Sequence, residues 1–301
     1  MVTTSVRREV VEFFKNEPFD LSERRACALA GVQRSTLRYR ARRSDAGVLV
    51  GRLRDLAAAR PRFGYRRLHL LLQREGVAAN HKRIYRIYRA EGLAVRRRNR
   101  KRLRVARPIP MAAPTRRNEL WAMDFVSDVL TDGRRFRSLT VVDALTRECP
   151  AIEVDTSLPG ARVVRVLDRV ALERGYPSAI SVDNGPEFIC TALDKWAFEH
   201  GVSLRFIQPG KPTQNAHIES FNGRFRDECL SQSWFPTLSR ARVEIEMWRA
   251  DYNAVRPHSS LDNRTPDEFV AALVAKSLDG GIQKKDNEIK ISDCLAESVV
   301  Q

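Results

Sequence analysis

Cysteine is scarce in this chain, and no arrangement of it could carry the fold. Cys27, Cys149, Cys190, Cys229 and Cys294 are odd in number, far apart and without a CxxC pair. That excludes a disulfide framework and a zinc knuckle, and leaves reduced, mostly buried thiols. Long apolar runs are missing too. The longest, Phe269 to Ala275, has seven residues, against the roughly 18 to 20 that cross a bilayer. The opening MVTTSVRREV lacks the apolar region of a secretory signal, so the expected location is the cytoplasm, with no membrane partner. Apolar content as a whole is not short. At 43% of 301 residues it suffices for buried cores in two or more domains and excludes disorder throughout.

Acid is what the first third lacks. Up to Arg107 there are 29 Lys and Arg but 9 Asp and Glu, whereas the remainder has 24 basic and 28 acidic residues. The net charge of +16 therefore belongs to one end of the chain. A basic module ahead of a near-neutral one is the pattern of a polyanion-holding segment attached to something else, because each neutralised phosphate releases condensed counterions. A merely solvated basic surface is the plainer alternative.

Helical periodicity dominates that basic third. Val6 to Asn16 carries Val6, Val10, Val11, Phe13 and Phe14 at helical spacing. Ser22 is placed to cap a short helix through Ala30, and Gly31-Val32 leads into a second helix, Ser35 to Arg43, capped by Ser35 or Thr36. Short helix, glycine turn, short helix is a helix-turn-helix pattern, with Arg38 and Arg40 among the residues facing DNA. A second such unit follows. Tyr65 to Glu75 places Leu68, Leu71 and Leu72 on one face, Gly76 ends it, and Asn80 caps a helix through Glu91 with Ile84, Ile87 and Tyr88 inward. Arg66, Arg67, Lys82, Arg83 and Arg86 are its DNA-binding candidates. The dense charge and prolines from Ala94 to Arg117 read as a linker that lies along phosphates.

From Glu119 the period changes to that of strands. Leu120 to Asp128, Phe136 to Val142 and Ile152 to Val154 read as strands, with a turn at Thr131-Asp132-Gly133. A helix (Ala161 to Arg174), a strand (Ala179 to Val182), a helix (Thr191 to His200), a strand (Ser203 to Ile207) and further helices from Asn215 complete a mixed α/β domain. The expected division is a helix-turn-helix in 1–46, a second in 47–93, a linker in 94–117, a catalytic core in 118–275 and a polar, poorly ordered tail in 276–301.

Three carboxylates occupy costly or exposed places. Asp124 interrupts an apolar strand between Met123 and Phe125, Asp183 ends a buried strand, and Glu219 shares a helix face with Asn222, Gly223 and Arg226. A buried acid needs a partner or a metal. Converging carboxylates with phosphate chemistry nearby suit Mg²⁺, and two ions about 4 Å apart would serve an in-line phosphoryl displacement. On the residues alone the plainer readings stay open: a strand-end acid for Asp124, an Asx-turn for Asp183, a solvated helix acid for Glu219. Asp128, Asp132 and Asp143 compete with them, and Trp121 and Trp248 read as core.

Asp183 and Glu219 have 35 residues between them, and Asp124 precedes Asp183 with 58 between. The spacing resembles the DDE signature of retroviral integrases and related transposases. The texts TrpAlaMetAspPheValSerAsp, SerValAspAsnGlyProGluPhe, GlyLysProThrGlnAsnAlaHisIleGluSerPheAsnGlyArgPheArg and TyrAsnAlaValArgProHisSerSerLeu resemble the catalytic second-frame protein of the bacterial insertion-sequence-three transposase family, over roughly Leu49 to Val270. Arg226 matches the family's basic residue seven after the glutamate.

The resemblance implies an RNase H-like catalytic fold, a mixed five-stranded sheet with helices, preceded by an all-α helix-turn-helix region. It implies a polynucleotidyl transferase whose Asp124, Asp183 and Glu219 hold Mg²⁺ (or Mn²⁺), two ions per site, for strand cleavage and strand transfer. Arg226 and Lys211 would then contact phosphate, and Asn184, Glu187 and His217 would support the carboxylates or touch DNA. Expected partners are double-stranded DNA, both element terminal inverted repeats and target, further copies of the chain, and an upstream-frame protein. The expected location becomes the bacterial, nucleoid-associated cytoplasm. Rival readings are an RNase H-like nuclease that cuts without joining and a helix-turn-helix regulator with a degenerate catalytic domain. The retroviral His-His-Cys-Cys zinc module has no counterpart, and no leucine heptad appears.

Overall fold

A computed structural model describes residues 4–16, 18–39, 46–95, 113–207 and 215–275. Arg40, Lys211, most of the linker and the tail from 276 lie outside the described residues, with the expectations placed on them. The chain divides into two compact units, 1–54 and 55–301.

In the first unit α1 (Thr4–Lys15), α2 (Glu23–Leu29) and α3 (Arg34–Arg38) bury Val11, Ala26 and Cys27 against Phe14, Leu21, Val32 and Leu37. Two details differ from the sequence expectation. Ser22 sits at the N-cap of α2, but its side chain makes no cap bond. The third helix begins at Arg34 with Gln33 at its N-cap, and by Tyr39 the backbone is extended. Arg34 and Arg38 both reach Glu23 on α2, at 3.0 and 2.9 Å, so a shared surface ion pair joins α3 to α2.

The unit boundary falls inside α4 (Ala46–Ala59), and α5 (Tyr65–Arg74) and α6 (His81–Ala90) follow. Leu68, Leu71, Leu72, Ile84 and Tyr88 are the buried positions of that hairpin. Asn80 accepts the Lys82 N–H at 2.8 Å, the expected cap. Gly76 has φ +81°, a left-handed conformation that suits glycine after a helix.

The sheet contains β1 (Leu120–Val129), β2 (Arg135–Asp143), β3 (Ala151–Asp155), β4 (Ala179–Val182) and β5 (Ser203–Phe206), in the order β3-β2-β1-β4-β5. The pairs β1–β2 and β2–β3 are antiparallel, as short connections permit; β1–β4 and β4–β5 are parallel. The parallel crossovers run through α7 (Gly160–Arg174) and α8 (Thr191–Glu199), and α9 (Ala216–Glu228) and α10 (Leu238–Ala254) follow the sheet. This is the RNase H-like arrangement, with helices on both faces.

The period of two along β1 sorts its side chains between two cores. Trp121 and Met123 pack with Val163, Val166, Leu167 and Trp196 of α7 and α8. Ala122 and Val126 pack with Ile218, Phe221 and Phe225 of α9 and with Ile245 and Tyr252 of α10. Because both faces are covered, β1 reads as a near-continuous apolar run rather than an alternating one. The α5 hairpin is bonded to this domain: Arg60 donates to both oxygens of Asp251 on α10, at 2.6 and 2.5 Å, and Arg74 pairs with Glu268 at 2.8 Å. Among the described residues no helix is long and apolar enough to cross a membrane.

Candidate active site

Asp124 lies between Ala122 and Val126 in the period of two, so its side chain belongs to the α9 face of β1. Its Oδ1 accepts the Phe125 N–H at 2.7 Å and its Oδ2 accepts the Asn222 amide at 2.7 Å. Asn222 is buried in α9, and its oxygen accepts the Thr140 hydroxyl at 3.0 Å. Thr140 is the direct cross-strand partner of Asp124. A helix and two strands thus hold one carboxylate through one buried amide. Burial is the largest influence on that carboxyl and pushes its pKa above the ordinary value. The Phe125 N–H opposes the rise, the negative charge of Asp183 adds to it, and Asn222 and Arg226 oppose it.

Asp183 arrives beside Asp124 through strand register. Ala122 pairs with Ser181 at the end of the parallel β1–β4 ladder, so Asp183, one residue past β4, leaves the sheet beside Asp124, whose carboxyl feels its charge. The Asp183 Oδ1 accepts the Gly185 N–H at 3.0 Å. A Cβ on Gly185 would stand 2.9 Å from that same oxygen and 3.3 Å from the Glu187 carboxylate, so a side chain here would push the Asp183 carboxylate aside.

The other residues of this loop have structural partners. Asn184 donates to the Ile207 carbonyl at 3.0 Å, tying the loop to the end of β5. Glu187 is paired with Arg137 of β2, whose guanidinium lies 4.3 Å from the Phe125 ring centre. Phe125 stacks in turn on Phe188 at 5.0 Å. The Arg137 hydrogen bond holds the Glu187 carboxyl below its usual range.

Glu219 stands in the first turn of α9, exposed. Asn222 one turn on binds Asp124, and Arg226 two turns on acts on Asp124, so helical spacing puts Glu219 on the side of α9 that faces the two aspartates. Asp124 and Asp183 come together; Glu219 does not complete a cluster with them. Among the described residues no group of three or more His, Cys, Asp or Glu stands within reach of one metal ion. His217 points to the other flank of α9, where its Nδ1 meets Arg147. Burial and then the Arg147 charge push its pKa down to about 4.

The competing acids have framework roles. Asp128 accepts the Val129 N–H at 2.8 Å, and Asp132 pairs with Arg134 at 2.7 Å beside the β1–β2 turn. Asp143 accepts the N–H groups of Asn118, Leu145 and Thr146, each at 2.9 Å. Both tryptophans are packed: Trp121 is fully buried and Trp248 lies against the α9–α10 core. Of the basic candidates, Lys82 and Arg86 line a cavity of about 430 Å³ with Tyr65, His81 and Tyr85. Arg66 meets the Tyr65 hydroxyl at 3.3 Å, Arg83 is half-buried, and Arg67 lies over Phe63 and 3.6 Å from Glu228. Arg38 is engaged with Glu23. Sequence reading missed the roles of Asn222, Thr140 and Gly185. The available signal was a polar residue in an otherwise apolar stripe or strand, which must find a partner when buried.

The description "HTH-like domain" matches residues 47–101, and "Integrase core domain" matches 114–212 and again 200–266. The 31.7 kDa protein of insertion element IS407 from Burkholderia multivorans is 55% identical over 256 residues, 85% of this chain and 92% of that protein. The chain belongs to the insertion-sequence-three family of transposases. It is a DDE transposase, a polynucleotidyl transferase acting on DNA. The transposase InsD of insertion element IS2D from Escherichia coli strain K12 is 26% identical over 257 residues, 79% of this transposase and 83% of that one. The HTLV-2 integrase catalytic core domain in complex with magnesium is 14% identical to this chain, with a TM-score of 0.42, covering 50% of this chain and 95% of that one.

Proposed function

We propose that Asp124, Asp183 and Glu219 are the metal-holding carboxylates of this transposase and that the site cleaves a DNA strand and joins the freed 3′ end to another. The observation that carries the reading is the proximity of Asp124 on β1 and Asp183 just past the end of the neighbouring parallel strand β4, with the pKa of the first raised by burial and by the charge of the second. Such a pair is unfavourable alone and is relieved by a hard divalent cation with oxygen ligands. The Asp124–Asp183 pair therefore suits Mg²⁺ or Mn²⁺, and Glu219, which stands apart from the pair in this structure, would have to approach it to supply a third carboxylate. Two such ions, when bound, lower the pKa of an attacking water or 3′-hydroxyl and offset charge on the leaving oxygen.

The chain's own residues do the positioning. Asn222 and the Phe125 N–H fix the Asp124 carboxylate, Gly185 fixes Asp183, and Arg226 and Lys211 hold phosphate near the reacting bond. Residues 1–46 and 47–93 serve as DNA-binding modules for the terminal repeats, 94–117 as the link, and 118–275 as the catalytic core, with 276–301 as a polar tail. The protein works as a multimer of this chain on DNA, with an upstream-frame protein as a further partner.

The test is transfer of a labelled 3′ end to a second duplex. Asp124→Asn, Asp183→Asn and Glu219→Gln are each expected to lower joining by at least about 100-fold, the scale of a lost catalytic group, while metal-free duplex binding is retained. An Asp183→Asn protein that keeps a tenth of wild-type joining refutes the assignment, and cutting without joining favours the nuclease reading.

A further inference from the structure

The α9 helix has a second polar flank, turned away from Glu219, made by His217, Arg224 and Glu228. Glu228 is already used: Arg256 donates to both its oxygens, at 2.7 and 2.6 Å, and Arg67 stands 3.6 Å away. Arg147, from the β2–β3 turn, meets the His217 ring. Arg224 is half-buried and makes no hydrogen bond or ion pair within the described residues. His258 lies in their midst. It is 4% exposed, stacks edge-on with Tyr252 at 4.8 Å, and its Nε2 has no hydrogen-bond partner. Arg256, Arg224, Arg67 and Arg147 all bear on its ring.

Arg147, Arg224 and Arg256 thus converge on a region whose nearest carboxylate, Glu228, has both oxygens occupied by Arg256. Asp143, the other acid bearing on Arg147, is taken by three backbone N–H groups and by Arg174. Half-buried guanidinium groups with no anion, beside an unsatisfied buried imidazole nitrogen, are unfavourable unless an anion arrives.

We propose that Arg147 and Arg224, with the buried His258 behind them, form a seat for one backbone phosphate of the DNA, on the flank of α9 opposite the carboxylates. The two guanidinium groups present planar donor forks suited to phosphate oxygens, and the unpartnered His258 imidazole lies buried behind them. Across a helix about 10 Å wide the seat lies roughly three nucleotides from the carboxylates at 3.4 Å per step. It would fix the strand that runs past the reacting phosphate. The inference takes from the proposed function only that DNA is the substrate, and it does not depend on which carboxylates hold metal.

The test is metal-free binding of the full chain to mixed-sequence duplexes across a salt series, so a failure here leaves the strand-transfer result untouched. Arg224→Gln is expected to reduce the slope of log affinity against log salt by about one, equally for unrelated sequences, and Arg224→Lys to preserve it. The melting temperature of Arg224→Gln in the absence of DNA is expected to be unchanged or raised, because a repelling charge is removed. An unchanged slope, or a lowered melting temperature with the slope intact, overturns the seat. Arg147→Gln repeats the test on a second group should the first variant fail to fold. Inorganic phosphate is the second probe: stabilisation of the wild type by phosphate with no change in duplex slope assigns the seat to a free anion and overturns the DNA assignment.

Discussion

At the scale of single residues, Asp124 shows how the fold sets its chemistry. The carboxyl is pushed above its ordinary pKa of 3.8, first by burial and also by Asp183. The folded metal-free protein therefore holds the proton at pH values where the unfolded chain has released it, so stability falls as pH rises from 3.8 through the raised folded value. At neutral pH the ionised carboxylate is a net cost. Asp124→Asn removes the charge and keeps one oxygen, for Asn222 or for the Phe125 N–H but not both, and it is expected to raise the metal-free melting temperature at neutral pH. The gain is expected to vanish at pH 3. Calorimetry of both proteins in chelator checks it, and a lower melting temperature for the variant at neutral pH contradicts this reading. Much of this was legible in the sequence, because an acid between Met123 and Phe125 in an apolar strand demands a partner. The partners themselves were not. Asn222 and Thr140 are ordinary polar residues until α9 and the β1–β2 register bring them together.

At the scale of elements, strand alternation and helix spacing gave the sheet, its helices and the faces they bury, whereas loops and helix starts were harder to read. The first turn of α3 carries Arg34, which pairs with Glu23 in another helix, a tertiary contact that capping preferences do not encode. The loop after β4 is the sharper case. Its Asp-Asn-Gly text reads equally as a turn, and only the packed backbone shows that Gly185 leaves room for the Asp183 carboxylate. Gly185→Ala is expected to leave the fold intact, displace the Asp183 oxygen, and lower strand transfer by as much as about 100-fold, as a misplacement near 1 Å does. Joining assays normalised to folded protein check this, and full activity in that variant would remove the need for close approach.

At the scale of the whole molecule, the sequence divides charge sharply, with the basic excess ending near Arg107 and the three proposed metal-holding carboxylates lying in the near-neutral remainder. The structure adds that the α5 hairpin is bonded to the catalytic domain through Arg60 and Arg74, a connection invisible in sequence because the partners Asp251 and Glu268 are about 190 residues away. If the hairpin binds DNA as proposed, its bonds to the core would hold the bound duplex in register with Asp124 and Asp183. The central claim is that these carboxylates hold the metal, and a change of ligand softness tests it most directly. Asp183→Cys replaces a hard oxygen with a soft thiolate. The expected result is strand transfer lost in Mg²⁺ and partly restored by Mn²⁺ or Cd²⁺, with no such restoration in Asp183→Ala. Equal activity of Asp183→Cys in Mg²⁺, or equal restoration of both variants by the softer ions, would contradict the account.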